Sequence, residues 1–507
     1  MKNLMLLIDN GNMKTMTPIK VILKSLILSL LLLPLYVSAQ EGEVKNDYQK
    51  SFDEFNTSIN KEFTDFKSKN DSVFYNFLEQ SWLEFQLFRD KRQSIPKPVD
   101  QPISKPVKIK NNTISPIERK TMLQDSGKQL ILNGKPASYQ TKAVVNMPDI
   151  PTTTVDFYGL KIDIPEQAQT APEYTVISNS DIALYFKNAC NNDYLSITIE
   201  LLQDMAIDGS LNGWGYIELL REASVNLYND TNHQVLFTWY ALLKSGYDAR
   251  VAYSNTNIFL LATFDVPIFY NSYFISNNKK YFIIPFNSQK GDMELVRSYE
   301  GEYPSELSSL SLYFQKLPSF TNISAYREVQ YHDDTITLAY NSNLKDYYGS
   351  YPECDLSVYF PPPLSNIAIS SLSEYIVPKL KNKTEVEKVN FLLDFIQYAI
   401  DYKTDVEQFG TENYLFAEES IFYPYADCED RAVLLAQLVK HFLGLKTIAI
   451  IYPSHVSLGV NITEAIDGTS VVYDNHSYYI ADPTYIGAKI GMVMPEYENT
   501  PPEVIEF

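Results

Sequence analysis

The chain has 507 residues, 45% of them hydrophobic and 21% charged, with 38 Tyr and 27 Phe. That length exceeds one ordinary hydrophobic core and that composition excludes a largely disordered chain, so several folded units joined by connectors are expected. A formal net charge of −20 repels phosphate backbones and argues against nucleic acid as a partner.

The first 39 residues read as an export signal. Lys14, Lys20 and Lys24 precede an apolar stretch over 26–37 that ends in Val37-Ser38-Ala39. Twelve helical residues rise only about 18 Å, short of the ~30 Å hydrocarbon core, so cleavage after Ala39 is expected in place of a membrane anchor. The mature chain would then be periplasmic, surface-bound or secreted, without further membrane association. It would keep Cys190, Cys354 and Cys428, an odd count in an oxidising compartment, so at least one thiol stays unpaired within a monomer. One arrangement pairs Cys190 with Cys354 and leaves Cys428 free; the other has three separate thiols.

Aromatic pairs at Phe52/Phe55, Phe63/Phe66, Phe74/Phe77 and Phe85/Phe88 recur every 11 residues. Eleven residues in three turns stay on one helix face, which predicts a long helix within residues 45–94. Pro96, Pro98, Pro102 and Pro106 make 95–117 an extended spacer. Residues 118–180 form a β-rich unit, with strands at 128–132 and 155–164. Across 181–320 the pattern is mixed: helices at 194–206, 215–227 and 232–244, a stop at Gly246, then strands at 249–253, 258–264 and 281–284. A β-type connector, 321–365, carries strand-like sequence from 335 to 360. The last unit, 366–507, opens with a helix over 385–400.

Within that unit, Asp427-Cys428-Glu429-Asp430-Arg431-Ala432 runs into an apolar helical pattern that stops at Gly444. Cys428 thus sits at a helix N-terminus, where unpaired N–H groups and the helix dipole favour a reactive thiolate. A strand over 446–452 follows, and His455 introduces the next, 456–462. A third strand, 478–481, ends in Asp482-Pro483-Thr484. A carboxylate there accepts the imidazole N–H and fixes the tautomer in which the other ring nitrogen is a base. His441, inside the helix, and His476, in a turn, are weaker candidates because neither opens a strand after the helix. The backbone N–H of Cys428 is a natural oxyanion donor; Tyr423 and Tyr425 lie nearby in sequence, either to assist or to pack. Five His without His-x-x-x-His or paired-Cys spacing point to neither metal nor other cofactor.

The ordered set Cys428-Glu429-Asp430-Arg431-Ala432, His455 and Asp482-Pro483-Thr484 resembles the transglutaminase-like superfamily, whose signature is Cys-x-Asp-x-Ala, then a strand-opening His, then Asp-Pro-Thr. The resemblance covers residues 385–490. It implies a papain-like α+β fold and a Cys-His-Asp triad that attacks an amide carbonyl of a peptide or protein substrate. Ala426-Asp427 stands where the family has Gly before the Cys. Members include crosslinkers, peptidases and amidases, so water and amines are both open as acyl acceptors.

A shift of 198 residues lays Gly444 over Gly246 and Pro483 over Pro285, and sets Asp230, Asn257 and Ile284 at the positions of Cys428, His455 and Asp482. This predicts a degenerate transglutaminase-like domain within 181–320, without the triad. Two functions are therefore expected to compete: an exported thiol acyltransferase or hydrolase, and a non-catalytic envelope binding or scaffold protein built on the same fold.

Overall fold

The structure, a computed structural model, describes residues 82–84, 88–89, 102–103, 111–119, 150–170, 177–276, 278–286, 297–299 and 307–507, all within one compact unit spanning residues 74–507. The expected signal segment, the strand at 128–132 and most of the aromatic-repeat segment lie outside these residues.

Short strands β1 (Trp82–Glu84), β2 (Phe88–Arg89) and β3 (Asn112–Ile114) come first. The alternating sequence after residue 150 folds as a hairpin, β4 (Thr152–Phe157) and β5 (Leu160–Pro165). Four helices follow: α1 (Asn179–Cys190), α2 (Asp193–Asp208), α3 (Gly213–Leu227) and α4 (Thr231–Lys244). The last three begin where Asn192, Asn212 and Asp230 accept a backbone N–H of the first turn, which satisfies donors that a helix leaves unpaired. Strands β6 (Ala249–Tyr253), β7 (Ile258–Ala262), β8 (Ser272–Ser276), β9 (Lys279–Ile284) and β10 (Arg297–Tyr299) complete the first half.

The second half opens with a hairpin, β11 (Ser324–Tyr331) and β12 (Asp334–Asn341), followed by α5 (Ser342–Tyr348), α6 (Asn366–Leu380), α7 (Glu385–Ala399), α8 (Asp405–Phe409) and α9 (Ala417–Phe422). Helix α10 (Cys428–Leu443) leads into β13 (Thr447–Tyr452), β14 (His455–Val460), β15 (Thr469–Tyr473), β16 (His476–Ala481) and β17 (Glu503–Glu506). The architecture is thus mixed helix and sheet. One continuous hydrophobic core runs from Val155 to Ile505, so the boundaries expected between the middle and last units do not divide the packing.

Among the described residues two larger sheets, beside the two hairpins β4-β5 and β11-β12, have the orders β1-β10-β6-β7-β9-β8-β2 and β17-β13-β14-β16-β15-β3. Their central parts have the same order: a hairpin, an outer strand beside its first member, and a second hairpin beside its second. The first hairpins share a register at a shift of 198, with Ala249 opposite Ala262 and Thr447 opposite Val460. For the second hairpins the shift is 197, with Tyr273 opposite Phe282 and Ser470 opposite Tyr479. The connection before β8 is therefore one residue longer than that before β15. Each sheet follows a helix, α4 or α10, that is closed by a left-handed glycine, Gly246 at φ +84° or Gly444 at φ +66°.

Several expectations change. A helix continuing to residue 88 is overturned at its end, because β1 and β2 are extended and pair with the two outer strands of the first sheet, β10 and β8. Open sheet edges recruit extended backbone, a demand that side-chain periodicity does not reveal. The spacer over 95–117 is not detached either: β3 pairs in parallel with β15, and Pro102 O accepts the Ile486 N–H at 3.0 Å. The β-type reading of 335–360 fails over α5. There Asn341 caps a helix whose Tyr347 and Tyr348 are core residues, so side chains of a kind common in strands are buried from a helix instead. No disulfide joins Cys190 to Cys354, so the pairing between them is not formed.

Candidate active site

Asp427 precedes α10 and Asp430 lies in its first turn; the Asp427 N–H donates to Asp430 Oδ2 at 3.3 Å as half of a reciprocal capping box. That cap fixes the start of the helix at Cys428, whose Sγ donates to Glu429 Oε2 at 2.9 Å. Helix α10 packs against β14. In β14 the side chains alternate: Val456, Leu458 and Val460 join the core shared with α10. His455 and Ser457 therefore turn to the opposite face of the sheet, the layer formed by Tyr452, Tyr478, Ile480, Tyr485 and Tyr497.

Leu458 stands opposite Ala481, so the next step of the ladder sets Asp482 beside Ser457, on the face that carries His455. The side chains meet there, with His455 Nε2 2.7 Å from Asp482 Oδ2. Asp482 Oδ1 accepts the N–H groups of Thr484 at 2.9 Å and Tyr485 at 3.1 Å. The Asp-Pro-Thr turn thus occupies one carboxylate oxygen and leaves the other to the imidazole. His455 Nδ1 has no hydrogen-bond partner among the described residues. With Nε2 committed to the carboxylate as donor, Nδ1 is the nitrogen able to accept a proton.

Cys428, His455 and Asp482 are 1%, 1% and 2% exposed. Tyr497 roofs the imidazole: the two rings are 5.6 Å apart and 10° from parallel, and Tyr452 stacks on Tyr497 at 4.5 Å. The Tyr497 hydroxyl meets Ser454 Oγ at 2.6 Å. Burial raises the Tyr497 pKa, and the charges of Cys428 and Asp482 both add to that rise, so this ring lies within electrostatic reach of both. The structure therefore joins His455 to Asp482 directly and relates Cys428 to them through the packing of α10 and through Tyr497.

His441 and His476 are exposed, and His476 Nδ1 meets Asp474 O in its own turn. Neither competes for Asp482. Tyr423 packs on Phe409 and Phe422, and the Tyr425 ring lies under Lys403. Both rings are engaged in packing.

Residues not identified from sequence complete the surroundings. Gln397, buried on α7, donates Nε2 to Asp482 O and to Ala488 O, each at 3.1 Å, and accepts the Gly487 N–H at 2.9 Å. Arg431, wholly buried, donates to Pro483 O at 3.3 Å and to Ile400 O. A polar residue within the apolar pattern of 385–400 was the available signal for Gln397; Arg431 was visible inside the motif, without a role.

Carboxylates cluster beside the thiol. Among the described residues, Asp427, Cys428 and Glu429 converge, as do Asp405, Asp427 and Asp430, and Asp405, Glu412 and Glu429, each set within 4.8 Å. Oxygen-rich sets of this kind suit a hard cation. Their oxygens also hold the chain around α10, since Asp405 accepts the Asn413 N–H at 2.8 Å and Asp430 the Leu415 N–H at 2.9 Å.

In the first sheet, the corresponding register puts Leu260 opposite Ile284, so Ile284 matches Ala481 and Pro285 matches Asp482. This corrects the assignment of Ile284 to the carboxylate position; the single longer connection causes the slip. Asn257 keeps the position of His455, and Asp230 is the N-cap of α4 as Asp427 is of α10. No thiol, imidazole and carboxylate meet there among the described residues.

Comparison of the chain with protein-family models, with curated proteins and with solved structures gives no match.

Proposed function

We propose that this chain is an exported, thiol-dependent acyl transferase or hydrolase that acts on peptide or protein amides, with Cys428 as nucleophile, His455 as base and Asp482 as orienting carboxylate. The buried 2.7 Å contact between His455 Nε2 and Asp482 Oδ2 carries this reading, because it leaves Nδ1 as the proton acceptor. The transglutaminase-like signature supplies the order of the three residues. A helix ending at a left-handed glycine, followed by antiparallel hairpins, supports the papain-like arrangement. The matching strand order of the first sheet supports a degenerate copy that lacks the triad.

In the reaction, the Cys428 proton passes to His455 Nδ1 as the sulfur attacks the amide carbonyl. The tetrahedral oxyanion collapses, His455 returns the proton to the departing amine, and a thioester remains on Cys428. Water or a second amine then attacks the thioester and regenerates the thiol. Asp482 stabilises the imidazolium in both halves without itself taking the proton.

A second reading, a non-catalytic envelope binding or scaffold protein, is favoured by the closure of the site and by the thiol's bond to Glu429. The two separate by trapping: the reduced full chain is incubated with a casein digest, quenched in acid, and its Cys428 peptide weighed by mass spectrometry. A hydroxylamine-sensitive acyl adduct, absent from Cys428→Ala and reduced in His455→Gln, supports catalysis. No adduct, and no release of ammonia or cleavage of the digest, supports the scaffold.

A further inference from the structure

We propose that Arg431 and Gln397 are positioning residues for Asp482, a pair of buried clamps that hold the carboxylate's turn against the helix bearing Cys428. This rests on the acyl-transfer reading for its use, but the contacts stand independently of it. Gln397 directs both its N–H donors and its carbonyl oxygen at this one loop, bonding Asp482 O, Ala488 O and the Gly487 N–H. Arg431 reaches the next carbonyl, Pro483 O at 3.3 Å, from the first turn of α10, and also bonds Ile400 O just beyond α7. A single side chain three residues after the nucleophile is therefore tied to the turn that presents the orienting carboxylate.

The ladder that sets the face of Asp482 ends one residue earlier, at Ala481, so the turn beyond it needs supports of its own. Among the described residues, Asp482 Oδ1 is bound only to N–H groups of its own turn, Thr484 and Tyr485, so those bonds shape the turn without tying it to another element. Gln397 and Arg431 tie that turn to α7 and α10. A shift near 1 Å in this backbone breaks the 2.7 Å contact with His455 and frees the imidazole to exchange tautomers. Arg431 also brings charge: burial pushes its guanidinium down to about 10, still cationic at neutral pH, with Asp401, Asp427 and Asp482 among the groups that sustain it. A buried arginine is costly unless its donors are used, and here both Nη groups are used on the two backbone segments that flank the site.

The test reads the imidazole and not the reaction. Full-length protein with 15N-labelled histidine has only five histidines to assign. Wild type is expected to show neutral His455 with its proton on Nε2 in more than nine-tenths of molecules. Arg431→Met and Gln397→Met are each expected to raise the Nδ1–H form at least threefold, with circular dichroism unchanged, and Arg431→Lys to restore most of the wild-type ratio. Should Arg431→Met not fold, Gln397→Met reports on the same turn. Folded methionine variants with an unchanged His455 spectrum would overturn the positioning role. Because the tautomer is measured without substrate, a chain that fails the trapping experiment can still pass this one, and the two failures are told apart.

Discussion

His455 and Asp482 are joined at 2.7 Å across neighbouring strands, although 27 residues separate them in sequence. The contact follows from register: with Leu458 opposite Ala481, the residue after β16 must fall on the face that His455 occupies. Neither side chain has an equivalent solvent contact to replace the other, since both are almost wholly buried. The pair is thus as much a feature of the core as of the site.

Asp482→Ala should therefore destabilise the fold as well as impair chemistry. It leaves the buried His455 Nε2–H without an acceptor and removes the acceptor for two backbone N–H groups, each a loss of roughly 1–3 kcal/mol when buried. Urea denaturation at pH 7 should show a lower midpoint, with a loss of about 3 kcal/mol or more. Asn at this position keeps an oxygen for the turn, so Asp482→Asn should recover part of that stability but not the tautomer. A midpoint unchanged in Asp482→Ala would mean that the buried contact is not formed.

Glu429 should restrain the nucleophile. Its carboxylate accepts the thiol proton at 2.9 Å, and a negative charge at that range opposes formation of a thiolate. Glu429→Gln should speed alkylation of Cys428 at pH 7 by on the order of tenfold. Site-resolved mass spectrometry with iodoacetamide makes the comparison, with Cys190 as the internal reference. A slower rate in the variant would assign Glu429 the opposite part, that of an activating group.

Glu419 predicts a pH effect on stability. Burial pushes its carboxyl from 4.5 up to about 8, with the Phe416 N–H and Lys345 opposing the rise. Between those values the unfolded chain has released the proton while the folded chain retains it, so folding takes up a proton and stability declines as pH rises. The decline should reach about 1.4 kcal/mol per pH unit within that window and level off above it. Glu418, also raised by burial, acts in the same direction. Glu419→Gln should match wild type near pH 4, exceed it at pH 8, and flatten the slope between; parallel stability curves for the two proteins would contradict the assignment.

How much of this was legible in sequence depended on whether local or distant contacts decided each element. The run at 249–253 was bounded correctly because a buried, β-rich stretch lies between a glycine stop and a turn. Helix α10 was legible from Cys428 to the stop at Gly444, as were a strand beginning about His455 and one ending before Asp482. By contrast β11, whose outward residues include Tyr326, Glu328 and Gln330, was read as connector because only one of its faces is buried. Strands β1, β2 and β3 depend on pairing with distant edges and leave no periodic trace. The one-residue slip between the two sheets was invisible for a related reason: an ungapped shift cannot show where a loop lengthens, and only the ladder pairs fix it. Gln397 and Arg431 act on backbone carbonyls, which have no side-chain signature in a sequence.

The central claim, a thiol coupled to the His455–Asp482 pair, is tested most directly by the pH profile of Cys428 alkylation in the reduced full chain. A small electrophile such as iodoacetamide limits the effect of burial, and the shape of the profile matters more than its height. Coupling predicts a rate that persists down to about pH 6, well below the ordinary thiol range near ~8.5, and that falls away there in His455→Gln. A profile that rises only through the ordinary thiol range, with the same form in wild type and His455→Gln, would contradict it.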